Sequence, residues 1–121
     1  MEKPARIIVY GIANCQSVKK ARDWLQEHAL AYAFHDFKKA GVPLPRLKAW
    51  VKHFGWESVL NRKGTTWRLL REEEKTLILN ASSAINAMAQ HPSLIKRPVI
   101  EFPHGQLTLG VNPEAWSNVI E

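Results

Sequence analysis

Apolar and polar positions along the chain follow periods that switch at glycines and prolines, and each switch marks a change of element. Residues 6–10, RIIVY, form a β-branched run closed by Gly11, the pattern of a buried strand. From Val18 the apolar positions Val18, Ala21, Leu25 and His28/Ala29 recur with charged residues between them, which is one face of an amphipathic helix. AYAFHDF (31–37) alternates aromatic and small residues as a half-buried strand does, and KKAGVPLP then breaks the pattern. Leu44, Leu47, Trp50/Val51 and Phe54 restore a helical period that Gly55 ends. WESVLNRKGTTWRLLREEEKTLIL predicts short helices separated at Lys63–Gly64. SSAINAMAQ (82–90) predicts another, with a serine cap and Pro92 as its stop. RPVIEF (97–102) and LTLG read as strands of a hairpin turned by PHGQ. Asn112–Pro113–Glu114 pairs a capping side chain with a proline in the first helical position, launching a closing helix expected to bury Trp116, Val119 and Ile120.

The order is therefore strand, helix, strand, a helical block, then hairpin and helix. Two strands joined by a helix make a right-handed parallel unit. The hairpin and last helix complete a four-stranded mixed sheet. This is an α/β, thioredoxin-like arrangement, βαβ followed by ββα, with an all-helical insertion at about residues 43–92. The 121 residues suit a single domain carrying that insertion, and 45% hydrophobic with 23% charged residues is the composition of an ordinary globular chain. No apolar run approaches membrane-spanning length and MEKPAR lacks a signal-peptide core, so a cytoplasmic protein without membrane contact is expected.

Cys15 is the chain's single cysteine, which excludes an internal disulfide. It lies where the first strand stops and the first helix begins. There the unpaired first-turn amides and the aligned peptide dipoles favour an anion. Lys19 and Lys20 follow closely and add positive potential, so the thiol is expected below its ordinary pKa. The alternative is a small buried hydrophobe, the commoner fate of one cysteine. The polar neighbours Asn14, Gln16 and Ser17 and the turn position favour the reactive thiol. A dithiol oxidoreductase would carry its second cysteine three residues on, where Val18 stands. Redox chemistry at Cys15 thus requires a second thiol from outside, glutathione or a partner protein.

YGIANCQSVKKARDWL, FHDFKKAGVP, GWESVLNRKGTTWRLL and LIKRPVIEF, in this order and spacing, resemble the arsenate reductase ArsC/Spx superfamily, most closely its YffB-like branch. The resemblance spans essentially the whole chain. It implies a thioredoxin-like domain with Cys15 as nucleophile, Arg62 in NRKGTTW as the insertion arginine and Arg97 in KRPV as the Arg-Pro arginine. It also implies that Pro98 follows a cis peptide bond facing the cysteine. Apart from the resemblance, Asn14 would help shape the turn, and Lys19 in the first helical turn would either stand near the thiolate or point into water. The chain departs from the family pattern after Cys15, where Gln16, Ser17, Val18 and Lys19 replace the arsenate-cradling segment. TLGVNPE carries no third arginine, and the second cysteine of many Spx-type regulators is missing.

The expected activity is a glutathione-dependent thiol reductase working through a mixed disulfide on Cys15, with glutathione as co-substrate and no bound cofactor. Arg62 and Arg97 would hold anionic groups, since a guanidinium forks onto carboxylates and stays charged. The alternatives are a glutathione- and glutaredoxin-coupled arsenate reductase, and an Spx-like adaptor that binds RNA polymerase without catalysis. A monomer is expected. His28, His35, His53, His91 and His104 are dispersed without metal-ligand spacing, so no metal site is expected. The net charge of +6 admits nucleic acid, but no recognition motif accompanies it, and such a partner is not expected. Trp24, Trp50, Trp56, Trp67 and Trp116 read as packing residues.

Overall fold

The computed structural model describes residues 6–120 and divides into two compact units, one formed by the chain up to Ala40 and from Arg97 onward, the other by Gly41–Lys96. The first unit contains β1 (Ile7–Gly11), α1 (Gln16–Glu27), β2 (Tyr32–Asp36), α2 (Phe37–Ala40), β3 (Val99–Glu101), β4 (Leu107–Leu109) and α8 (Pro113–Ile120). Its four strands form one mixed sheet in the order β2-β1-β3-β4, with β1 parallel to β2 and antiparallel to β3, and β3 antiparallel to β4. This is the thioredoxin-like arrangement that the order of periods predicts.

Alternation along β1 sorts the residues between the sheet faces. Ile7 and Val9 join Ala21 and Leu25 of α1, Ile100 and Phe102 from the hairpin, and Trp116 of α8 in a single buried cluster. Trp116 is 1% exposed, and its indole N–H donates to Thr108 Oγ1 at 3.0 Å, so the one polar atom of that side chain is satisfied. Tyr10 lies near His35 and Phe37, and its hydroxyl donates to Glu101 Oε1 at 2.9 Å.

Several element ends differ from the sequence expectation. Helix α1 stops at Glu27, because Ala29 takes φ 55°. There Leu30 N–H bonds Leu25 O at 2.9 Å and Ala29 N–H bonds Gln26 O at 3.0 Å, a Schellman closure. His28 and Ala29 are consequently exposed rather than on the buried stripe. Phe37 leaves the second strand for α2, whose start is fixed by Asp36 Oδ1 accepting Lys38 N–H at 2.9 Å. Ile120, expected on the buried face of the last helix, is 39% exposed. Asn112 caps that helix as expected, accepting Ala115 N–H at 3.1 Å.

The second unit holds α3 (Leu44–Phe54), α4 (Trp56–Val59), α5 (Thr65–Leu69), α6 (Glu72–Thr76), α7 (Ala81–Gln90) and a 3-10 turn at Pro92–Leu94. It buries Leu47, Trp50 and Val51 of α3 with Val59, Leu60, Ala84, Met88, Leu94 and Ile95. The cap of α7 is Asn80 and not a serine: Asn80 Oδ1 accepts Ser83 N–H at 2.9 Å while Ser83 Oγ accepts Asn80 N–H at 3.1 Å. Asparagine wins because Ser83 lies three residues on, where it returns the bond. Among the described residues, no helix is long and apolar enough to cross a membrane.

Gly11 sets the distance between β1 and α1. A Cβ there would stand 2.6 Å from Cγ2 of the fully buried Val18. The Gly11→Ala protein is expected to lose about 1–3 kcal/mol through overpacking. An unchanged urea midpoint would show that the strand and helix do not depend on this approach.

Candidate active site at the first helix N-terminus

β1 ends at Gly11, Ile12 is buried as an anchor, and Ala13 and Asn14 turn outward. Cys15 is the N-cap of α1, with φ −152° and ψ 124°, and its carbonyl accepts the first helical bond from Lys19 N–H at 2.9 Å. Its sulfur is half-buried, so it is open to a reaction partner while one side is shielded. Cysteine here occupies the place that serine or aspartate takes in most helices, which aims the first-turn amides at the sulfur.

The register of the sheet delivers the counter-charge. β1 and β3 pair Ile8 with Glu101, Val9 with Ile100 and Tyr10 with Val99. Continuing the ladder brings Pro98 and Arg97 toward the end of β1 and the turn that carries Cys15. The Arg97–Pro98 bond is cis, and Pro98 O accepts Gly110 N–H at 2.8 Å just past β4, fastening this corner of the hairpin. Arg97 thereby comes near enough to Cys15 to act on its thiol.

Opposing effects act on the thiol. Partial burial pushes its pKa up. Against this act the Val18 amide, the hydrogen bond and the charge of Arg97, and the Ser17 amide, and the net result is a pKa below the ordinary thiol value. The sulfur makes no hydrogen bond of full capping geometry, but the larger reach of a polarisable thiolate lets the two amides act over longer contacts. Because the folded pKa is depressed, the stability contributed by the thiolate is fully present above the unfolded thiol's pKa. It is lost as pH falls through the folded value.

Among the other residues named from sequence, Asn14 is exposed beside Cys15, and Pro98 is buried behind Arg97. Lys19 takes the water-pointing alternative: its Nζ is 2.7 Å from Asp23 Oδ2, one turn further along α1, with 67% of its side chain exposed. Lys20 is exposed as well, and neither lysine is among the groups that shift the thiol. Arg62 belongs to the helical unit, where its guanidinium lies 5.4 Å from the ring centre of Trp56 and 6.0 Å from that of Trp67, with Glu57 Oε2 at 3.9 Å. Sequence reasoning missed Gly11 as the residue that lets α1 approach, although a glycine between an apolar strand and a helix is a signal for close packing. Among the described residues no cluster of three or more His, Cys, Asp or Glu could hold a metal.

A lone cysteine at a helix mouth, flanked by an arginine and a cis-proline corner on a thioredoxin-like sheet, defines a one-cysteine thiol site. The chain belongs to the ArsC family, whose model matches residues 10–119. It is similar to an uncharacterized protein of Haemophilus influenzae, 39% identical over 110 residues that cover 91% of this chain and 95% of the relative. A global transcriptional regulator, Spx 2 of Bacillus cereus, is 26% identical over 89% of this chain and 82% of its own. Among solved structures, a YffB protein superposes with a TM-score of 0.89 at 43% identity, covering 95% of this chain and 99% of that one. An arsenate reductase related protein of Brucella melitensis matches at 39% identity and a TM-score of 0.73, covering 100% of this chain and 99% of its own.

Replacing Arg97 with glutamine is expected to raise the apparent pKa of Cys15 and slow its alkylation at neutral pH severalfold, with a smaller difference at pH values where any thiol is ionised. The pH profile of the alkylation rate checks this. Superimposable profiles for the two proteins would remove Arg97 from the site.

Proposed function

We propose that the protein is a thiol oxidoreductase that reduces a disulfide at the expense of glutathione. The observation that carries this reading is a single, partly exposed cysteine at the N-cap of α1, with Arg97 among the groups that lower its pKa and no internal resolving thiol. The Cys15 thiolate attacks one sulfur of the substrate disulfide. A Cys15–sulfur bond forms, the substrate S–S bond breaks, and the other sulfur leaves as a thiolate that takes a proton from water. A glutathione thiolate then attacks the mixed disulfide and regenerates Cys15. A second glutathione completes the balance, so that one disulfide and two glutathiones yield two thiols and one glutathione disulfide. A lowered pKa enlarges the thiolate fraction at any given pH and also makes Cys15 a better leaving group in the second step. Asn14 and Lys19 lie next to and one turn beyond the sulfur, where an incoming peptide would pass. Arg62 serves in this reading as an anion-binding residue of the helical unit. A reducing, cytoplasmic setting and a monomer acting with glutathione, or with glutaredoxin as a further thiol donor, fit this chemistry.

A second reading is favoured by the likeness to Spx regulators: a polymerase-binding adaptor whose work does not need the thiol. It requires RNA polymerase capture that survives Cys15→Ser. Arsenate reduction is the weaker alternative, because the TLGVNPE segment carries no arginine.

Incubation with glutathione disulfide is expected to add one glutathione to Cys15, released by a thiol donor, with no adduct on Cys15→Ser. Intact-protein mass spectrometry reads both. An unmodified wild-type protein under these conditions would end the oxidoreductase proposal.

A further inference from the structure

The helical unit carries a cluster of cations that the thiol chemistry leaves unused. Backbone pairing builds its frame: Leu60 and Ile95 meet in an antiparallel bridge, Asn61 N–H donates to Leu94 O at 2.7 Å and Lys96 N–H donates to Val59 O at 2.8 Å. This fixes Lys96 beside the turn that follows Leu60. Within that turn Asn61 Oδ1 accepts Lys63 N–H at 3.1 Å. A Cβ on Gly64 would stand 2.8 Å from Asn61 Nδ2, so glycine leaves room for the asparagine amide to fold inward. The result is a cavity of about 320 Å³ whose lining includes Glu57, Ser58, Asn61, Arg62, Lys63 and Lys96.

Charge and size decide what such a cavity suits. Arg62, Lys63 and Lys96 face a single carboxylate, Glu57. The Glu57 to Arg62 separation of 3.9 Å, between side chains 71% and 46% exposed, is at the limit of an ion pair and weak. Neither the Lys63 nor the Lys96 ammonium has a carboxylate partner among the described residues. The volume is at the lower end of the range for organic ligands, about 300–1,000 Å³, and exceeds what a bare oxyanion fills. A guanidinium can fork onto one carboxylate while two ammonium point charges hold another.

We propose that Lys63 and Lys96 complete, with Arg62, a subsite for a peptide bearing two carboxylates, and that Glu57 is its internal competitor. The proposal deepens the anion-binding role given to Arg62 above and does not require the thiol.

The test uses the full-length Cys15→Ser protein and S-methylglutathione, a tripeptide with two carboxylates and no free thiol. The indole N–H resonances of Trp56 and Trp67, the rings under Arg62, report occupancy. Saturable shifts are expected with a dissociation constant of about 1 mM or below. Lys63→Ala and Lys96→Ala, both at exposed positions, should each weaken binding about 1.5–5-fold, and Glu57→Gln should tighten it by a similar factor. The dimethyl ester of the tripeptide should leave both resonances in place. The proposal is overturned by non-saturating shifts, by unchanged affinity in both lysine variants, by looser binding in Glu57→Gln, or by inorganic phosphate binding as tightly as the tripeptide. Since the thiol is absent from this assay, its outcome is independent of whether wild-type Cys15 accepts glutathione.

Discussion

The site depends on the juxtaposition of Arg97 with Cys15 at the mouth of α1, where the guanidinium joins the first-turn amides in lowering the thiol's pKa. Its partners are far apart in sequence, and neither the helix nor the arginine alone would create it. The antiparallel register of β1 against β3 brings them together, so the chemistry of the thiol is tied to correct pairing at the centre of the sheet. A slip of one residue would turn every side chain of β3 to the opposite face. Ile100 would leave the buried cluster, and the arginine would leave the sulfur. The apolar packing that fixes Ile100 and Val9 therefore also fixes the electrostatics of Cys15.

The state of that sulfur is a compromise. Shielding from water strengthens each local interaction but opposes charge, and here it is the largest influence on the thiol. Two amides and a guanidinium reverse the outcome without sealing the atom away. A more deeply depressed thiolate would be populated more fully yet attack more slowly, since nucleophilicity falls with basicity. Partial exposure also leaves a path for the incoming sulfur.

Most of this was legible in the sequence wherever local chemistry governs. The period of β1, the change of period at Cys15, and the Asn112–Pro113 start of α8 each specify their structure within a few residues. At α7 the two serines that open the apolar period suggest the cap, yet Asn80 takes it because Ser83, three residues on, returns its hydrogen bond. Ile120 and the pair His28/Ala29 have the right spacing for burial, yet they sit at helix ends where the chain turns away from the core. Sequence leaves Lys19 open between the sulfur and water, and the aspartate four residues later decides it by pairing with the ammonium on the exposed face. The grouping of Arg62, Lys63 and Lys96 was invisible, because only the Leu60–Ile95 bridge brings the two segments side by side.

The sheet unit is assembled from two stretches of chain separated by the whole helical unit. A chain emerging from the ribosome thus presents Cys15 long before Arg97 is synthesised. Until β3 docks against β1, the sulfur has at most its own fraying helix to favour ionisation. Closing so long an intervening segment is entropically slow. The full set of groups that lower the thiol's pKa, amides and guanidinium together, is accordingly complete only once the final stretch of the chain has joined the sheet.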